Sequence, residues 1–74
     1  MVVIYVLVVT EVGKENEVAG ELGKIKGVTE AKTVYGEFDV VARIEAQNLK
    51  EVDEIITSLR KILGIIRTVT LISA

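Results

Sequence analysis

The sequence predicts an α+β domain whose elements run β-α-β-β-α-β, with a four-stranded antiparallel sheet and both helices on one face. Three observations predict it. Runs rich in β-branched residues bracket two segments of helical periodicity, glycines fall where the periodicity changes, and the second half of the chain repeats the first.

The elements follow in order. Val2-Val-Ile-Tyr-Val-Leu-Val-Val9 is almost wholly β-branched and of strand length. Gly13 breaks it. Between Lys14 and Lys26, Val18, Leu22 and Ile25 are spaced as one face of a helix, and Gly27 stands where a helix C-terminus wants a positive φ. Val28 to Val34, rich in Val and Thr, reads as a strand, and Gly36-Glu37 as the turn after it. Val40, Ala42, Ile44 and Ala46 alternate with more polar neighbours, the pattern of a strand with one buried face.

Asn48 followed by Glu51 forms a capping box for a second helix, whose apolar stripe is Val52, Ile55, Ile56, Leu59, Ile62 and Leu63. Gly64 closes it, and Ile65 to Ile72 is the last strand. Leu22-Gly-Lys-Ile-Lys-Gly27-Val28 matches Leu59-Arg-Lys-Ile-Leu-Gly64-Ile65 at a spacing of 37 residues. Extended outward, that spacing pairs Val18 with Ile55 and Leu7 with Ile44. Two interleaved βαβ units of this kind make a ferredoxin-like sandwich. One domain, 1–74, accounts for the chain, with no linker and no proline.

Composition excludes several classes. At 74 residues the core is only marginally sufficient, so a covalent, metal or subunit staple is expected. The chain has no Cys and no His, which leaves association. A formal charge of −2, with nine Lys and Arg dispersed among eleven acids, gives no footprint for direct nucleic-acid binding. The apolar run at Val2 to Val9 is too short to span a bilayer and lacks the flanks of a signal peptide, so a cytoplasmic protein is expected. The lack of Cys and the few Asn, Gln and Met point toward a thermophile.

The repeat puts Val3, Tyr5, Leu7 and Val9 in the same phase as the buried series Val40 to Ala46, facing the helices. The other face would then show Val2, Ile4, Val6, Val8 and Val41. Burying four such side chains is worth on the order of 6–12 kcal/mol. A second copy packed back to back is therefore expected to cover this face, which would be the dimer interface.

Catalytic chemistry has no foothold. Ser58 and Ser73 are the only serines and have no base beside them, Asp53 and Glu54 lie on the polar side of the second helix, and no phosphate loop follows a strand. No catalytic residue, metal site or cofactor is expected, and the chain reads as a non-enzyme. Tyr35-Gly36-Glu37-Phe38-Asp39 stands apart. It is either an ordinary turn, with Gly36 at positive φ, Phe38 plugging the sheet end and Asp39 bonding turn amides, or a contact surface for a small polar ligand.

Gly36-Glu-Phe-Asp39 followed by an alternating strand resembles the Gly-x-Tyr/Phe-Asp signature of the Lrp/AsnC effector domain, also called the RAM domain. Gly64-Ile-Ile-Arg-Thr68-Val-Thr70 is similar to that family's Gly-Val-x-x-Thr-x-Thr ending. The resemblance covers nearly the whole chain. It implies back-to-back dimers assembled into octameric or decameric rings, with amino acids bound between dimers near the turn from the second strand to the third. Carried onto this chain, the ligand-binding residues are Gly36, Asp39, Thr68 and Thr70, with Tyr35 and Phe38 beside them. The usual family member carries an N-terminal helix-turn-helix, whereas this chain begins at its first strand. It therefore resembles a stand-alone form that senses amino acids without binding DNA itself. Two alternatives stay open: a structural partner forming mixed oligomers with full-length regulators, and a small dimeric α+β barrel enzyme. An ACT-type domain shares the fold, but the motif at Gly36 favours the RAM reading.

Overall fold

A computed structural model describes residues 1–73. Its elements are β1 (Val2–Thr10), α1 (Glu15–Gly23), β2 (Val28–Thr33), β3 (Val40–Ala46), α2 (Leu49–Leu59) and β4 (Ile65–Ile72). The four strands form one antiparallel sheet in the order β2-β3-β1-β4, the arrangement of a ferredoxin-like α+β fold.

Local chemistry sets the helix ends. The Asn48 side chain accepts from the Glu51 amide at 2.9 Å and starts α2. Both helices stop a turn before the apolar periodicity does, because the last turn tightens. Lys24 N donates to Glu21 O and Ile25 N to Leu22 O, and Lys61 N to Ser58 O and Ile62 N to Leu59 O. Leu63, expected in the α2 stripe, therefore lies beyond the helix and is 92% exposed.

The internal repeat is real in three dimensions. Gly27 and Gly64 both adopt φ of 99°. Their carbonyls accept from Glu45 N and Glu11 N respectively, each at 2.8 Å. Each edge strand then carries one extra residue: Thr29 between the pairs Val28↔Ile44 and Glu30↔Arg43, and Ile66 between Ile65↔Thr10 and Arg67↔Val9. From helix through turn to bulge the spacing of 37 residues holds.

In the central strands it does not, and this reverses one expectation. Val8 pairs with Val40 and Val6 with Ala42, a symmetric exchange that relates β1 to β3 by 34 residues. Between matching points of the two halves, the run from β1 to α1 is thus three residues shorter than that from β3 to α2, Val6 to Val18 against Val40 to Ile55. An odd difference flips a period of two. Ile4, Val6 and Val8, expected at the dimer interface, are fully buried against the helices with Val18, Leu22, Val40, Ala42, Ile44 and Leu59. Val2 is half-buried and packs on the same core. Of the five interface residues expected, only Val41 lies on the open face, opposite Leu7.

The open face is instead built from Val3, Tyr5, Leu7 and Val9 of β1, Val41, Arg43 and Glu45 of β3, and Arg67, Val69 and Leu71 of β4. It is apolar around a polar centre. Arg43 is ion-paired with Glu45 and donates to the Thr29 hydroxyl at 3.0 Å. Glu45 first, and Tyr5 across the strand, raise the guanidinium's pKa.

Candidate functional site

Four residues separate β1 from α1, where only two separate β3 from α2. The segment Glu11-Val12-Gly13-Lys14 arches away from the sheet, with Gly13 at φ of 81° and Val12 fully exposed. Between this arch and the β2–β3 connection lies a cleft of roughly 430 Å³, a size suited to a small organic ligand. Glu11, Val12, Glu15 and Asn16 form one wall, while Thr33, Val34, Tyr35 and Asp39 form the other.

Asp39 organises the floor. Its amide donates to Val8 O at 2.8 Å and its carbonyl accepts from Val34 N at 2.9 Å, so the backbone ties β1, β2 and β3 together. Its Oδ2 accepts the amide of Thr10 at 2.8 Å and faces the Thr10 hydroxyl at 3.5 Å. Thr10 is 5% exposed, and this carboxylate satisfies an amide that β3 no longer reaches. The turn-amide role expected of Asp39 is thereby replaced by a bond to a neighbouring strand.

The other sequence-derived site residues are distributed unevenly. Tyr35 lines the cleft and is fully exposed. Gly36 sits at the tip of the turn with φ of 122°, and a Cβ there would meet nothing within 4 Å. Phe38 turns aside, its ring 5.6 Å from the Arg67 guanidinium. Thr68 and Thr70 lie on the edge strand opposite Val8 and Val6, across β1 from the cleft, and do not line it. The arch residues Glu11, Val12, Glu15 and Asn16 were missed by reading the sequence. Their only signal was the unequal length of the two strand-to-helix connections.

A second groove, of about 630 Å³, lies at the C-terminal end of α1, floored by Ile25 and Ile62, with Leu63 at its lip. On its rim Lys24 lies 3.2 Å from Glu21. Among the described residues no helix is long and apolar enough to cross a membrane.

Comparisons with known proteins identify the family and agree with the fold. The Lrp/AsnC ligand binding domain family matches residues 3–74. An uncharacterized HTH-type transcriptional regulator, PF0250 of Pyrococcus furiosus, is 43% identical over 60 residues, covering 80% of this chain and 40% of the regulator. The chain thus spans about two fifths of the length of the curated relatives it matches. Two crystal structures superpose with a TM-score of 0.93 at 41% identity over 100% of this chain: hypothetical protein PHS023 from Pyrococcus horikoshii, of which 90% is covered, and FFRP-DM1, of which 100% is covered. A feast or famine regulatory protein from M. tuberculosis complexed with L-methionine shares the fold at 16% identity and a TM-score of 0.81, over 99% of this chain and 50% of that one. With its sheet order, its paired glycine turns and a family match over nearly its whole length, this chain belongs to the Lrp/AsnC ligand-binding domain family.

Proposed function

We propose that this chain is an amino-acid-sensing module that works as an oligomer. The observation that carries the reading is the cleft between the β1–α1 arch and the β2–β3 turn, floored by Asp39 and walled by Tyr35, in a member of a ligand-binding family. The ligand's carboxylate takes the turn amides around Gly36. Asp39 spends Oδ2 on Thr10 and offers its other oxygen to the ammonium group. Gly36, Phe38, Thr68 and Thr70 take part from the surrounding surface, the two threonines reaching the ligand from a neighbouring copy.

The open face supports self-association. Tyr5 and Leu71 are 40% and 49% exposed, and Val3, Leu7, Val9, Val41 and Val69 complete an apolar surface across three strands. Two such faces pack back to back, and dimers assemble into octameric or decameric rings with the cleft between them. A ligand held between dimers shifts assembly by its differential affinity for the two states.

The test is calorimetry with the twenty amino acids, together with sedimentation with and without each. Binding accompanied by a change in assembly is expected. Absence of binding by any amino acid, with assembly unchanged, refutes the sensing role.

A second reading, a partner in mixed oligomers with full-length regulators, draws on the 43% identity to one of them. Co-expression with that regulator and affinity capture distinguishes the two, since capture is expected to depend on the open face and not on Asp39.

A further inference from the structure

The charge of the cleft is one-sided. Its lining carries the carboxylates of Glu11, Glu15 and Asp39 and no Lys or Arg. The lysines next to it in sequence are engaged elsewhere, Lys14 with Glu17 at 3.5 Å and Lys32 with Glu30 at 3.3 Å. The carboxylates are also dispersed: among the described residues no group of three acids is placed to hold a metal ion. Negative charge spread around a cleft suits an elongated cation better than a point charge. The rest of the wall, Val12, Val34 and Tyr35, is suited to cover a methylene chain.

We infer that the cleft selects amino acids with a cationic side chain, the lysine and arginine class, over neutral and acidic ones. This rests on the amino-acid-sensing reading above and narrows it. A neutral amino acid brings an ammonium for Asp39 but leaves Glu11 and Glu15 uncompensated. An acidic one adds repulsion. A basic one places its second cation between Glu11 and Glu15 while its stem lies along Val12, Val34 and Tyr35.

The experiment compares L-lysine with L-norleucine, and L-arginine with L-citrulline, by calorimetry at low and at physiological salt, with L-glutamate as the opposite charge. Lysine is expected to bind at least about fivefold tighter than norleucine at low salt, with the ratio falling as salt rises, and glutamate weakest. Glu11→Gln and Glu15→Gln are each expected to narrow the lysine-to-norleucine ratio by about two- to threefold, circular dichroism showing that both variants fold. Norleucine binding as tightly as lysine overturns the charge selectivity while the amino-acid reading stands. If none of the twenty amino acids binds, both fall together. An unchanged ratio in both glutamine variants removes Glu11 and Glu15 from the site and overturns the inference.

Discussion

The carboxylate of Asp39 accepts the amide of Thr10, 29 residues away in sequence, at 2.8 Å. This bond closes the sheet where β1 ends and β3 begins, and it places an acid at the base of the cleft. Under the proposed function, structure and ligand chemistry meet in this one side chain, and two substitutions separate them. Asp39→Ala leaves the nearly buried Thr10 amide without its acceptor and is expected to cost about 1–3 kcal/mol in urea unfolding. Asp39→Asn keeps an oxygen for Thr10 and is expected to cost about 1 kcal/mol or less while still weakening amino-acid binding.

The reversed phase of β1 gives a sharper test. Val6 is fully buried against the helices, while Leu7 beside it belongs to the open face. Val6→Asp is expected to cost several kcal/mol and to abolish cooperative unfolding. Leu7→Asp is expected to keep the circular dichroism of the fold and to move sedimentation toward the 8.1 kDa monomer. Were the strand in the opposite phase, the two outcomes would exchange.

Glycines at two turns differ in what a methyl group would meet. At Gly27 a Cβ would lie 2.7 Å from Ile55 Cδ1 and 3.2 Å from the Glu45 carbonyl, on a backbone with φ of 99°. At Gly36 the same atom would meet open space, and only the φ of 122° opposes it. Gly36→Ala is expected to cost about 1–3 kcal/mol from the backbone alone. Gly27→Ala is expected to cost more, and thermal unfolding of the two variants measures the difference.

The α2 cap is simpler. Removing the Asn48 oxygen that accepts from Glu51 N is expected to cost about 1 kcal/mol in Asn48→Ala. Hydrogen exchange in the first turn of α2 should accelerate, with the α1 amides changing less.

Much of this fold was legible in the chain. Val18, Leu22, Val52, Ile55 and Leu59 declared two helix faces by their spacing, and all five are buried. Val40, Ala42, Ile44 and Ala46 declared one face of β3, and Asn48 declared where α2 begins. Glycines at 27 and 64 marked the turns into β2 and β4, each with a φ that other residues adopt at a cost, while the helices themselves stop earlier, at Gly23 and Leu59. The Gly-x-Phe-Asp turn and the threonine-rich ending pointed to the family that the comparison then showed.

The phase of β1 was not legible, and the reason is physical. Val2 to Val9 is apolar at every position, so alternation carries no information there, and the phase borrowed from the repeat was wrong by three residues of loop. Local sequence determines element type through periodicity and backbone preference, which act over a few residues. Which side of an evenly apolar strand faces the helices depends on register with β3 and β4, and only tertiary packing decides that. The same packing brings Glu11 and Glu15 to face Tyr35 and Asp39 across the cleft, a juxtaposition that no local pattern encodes.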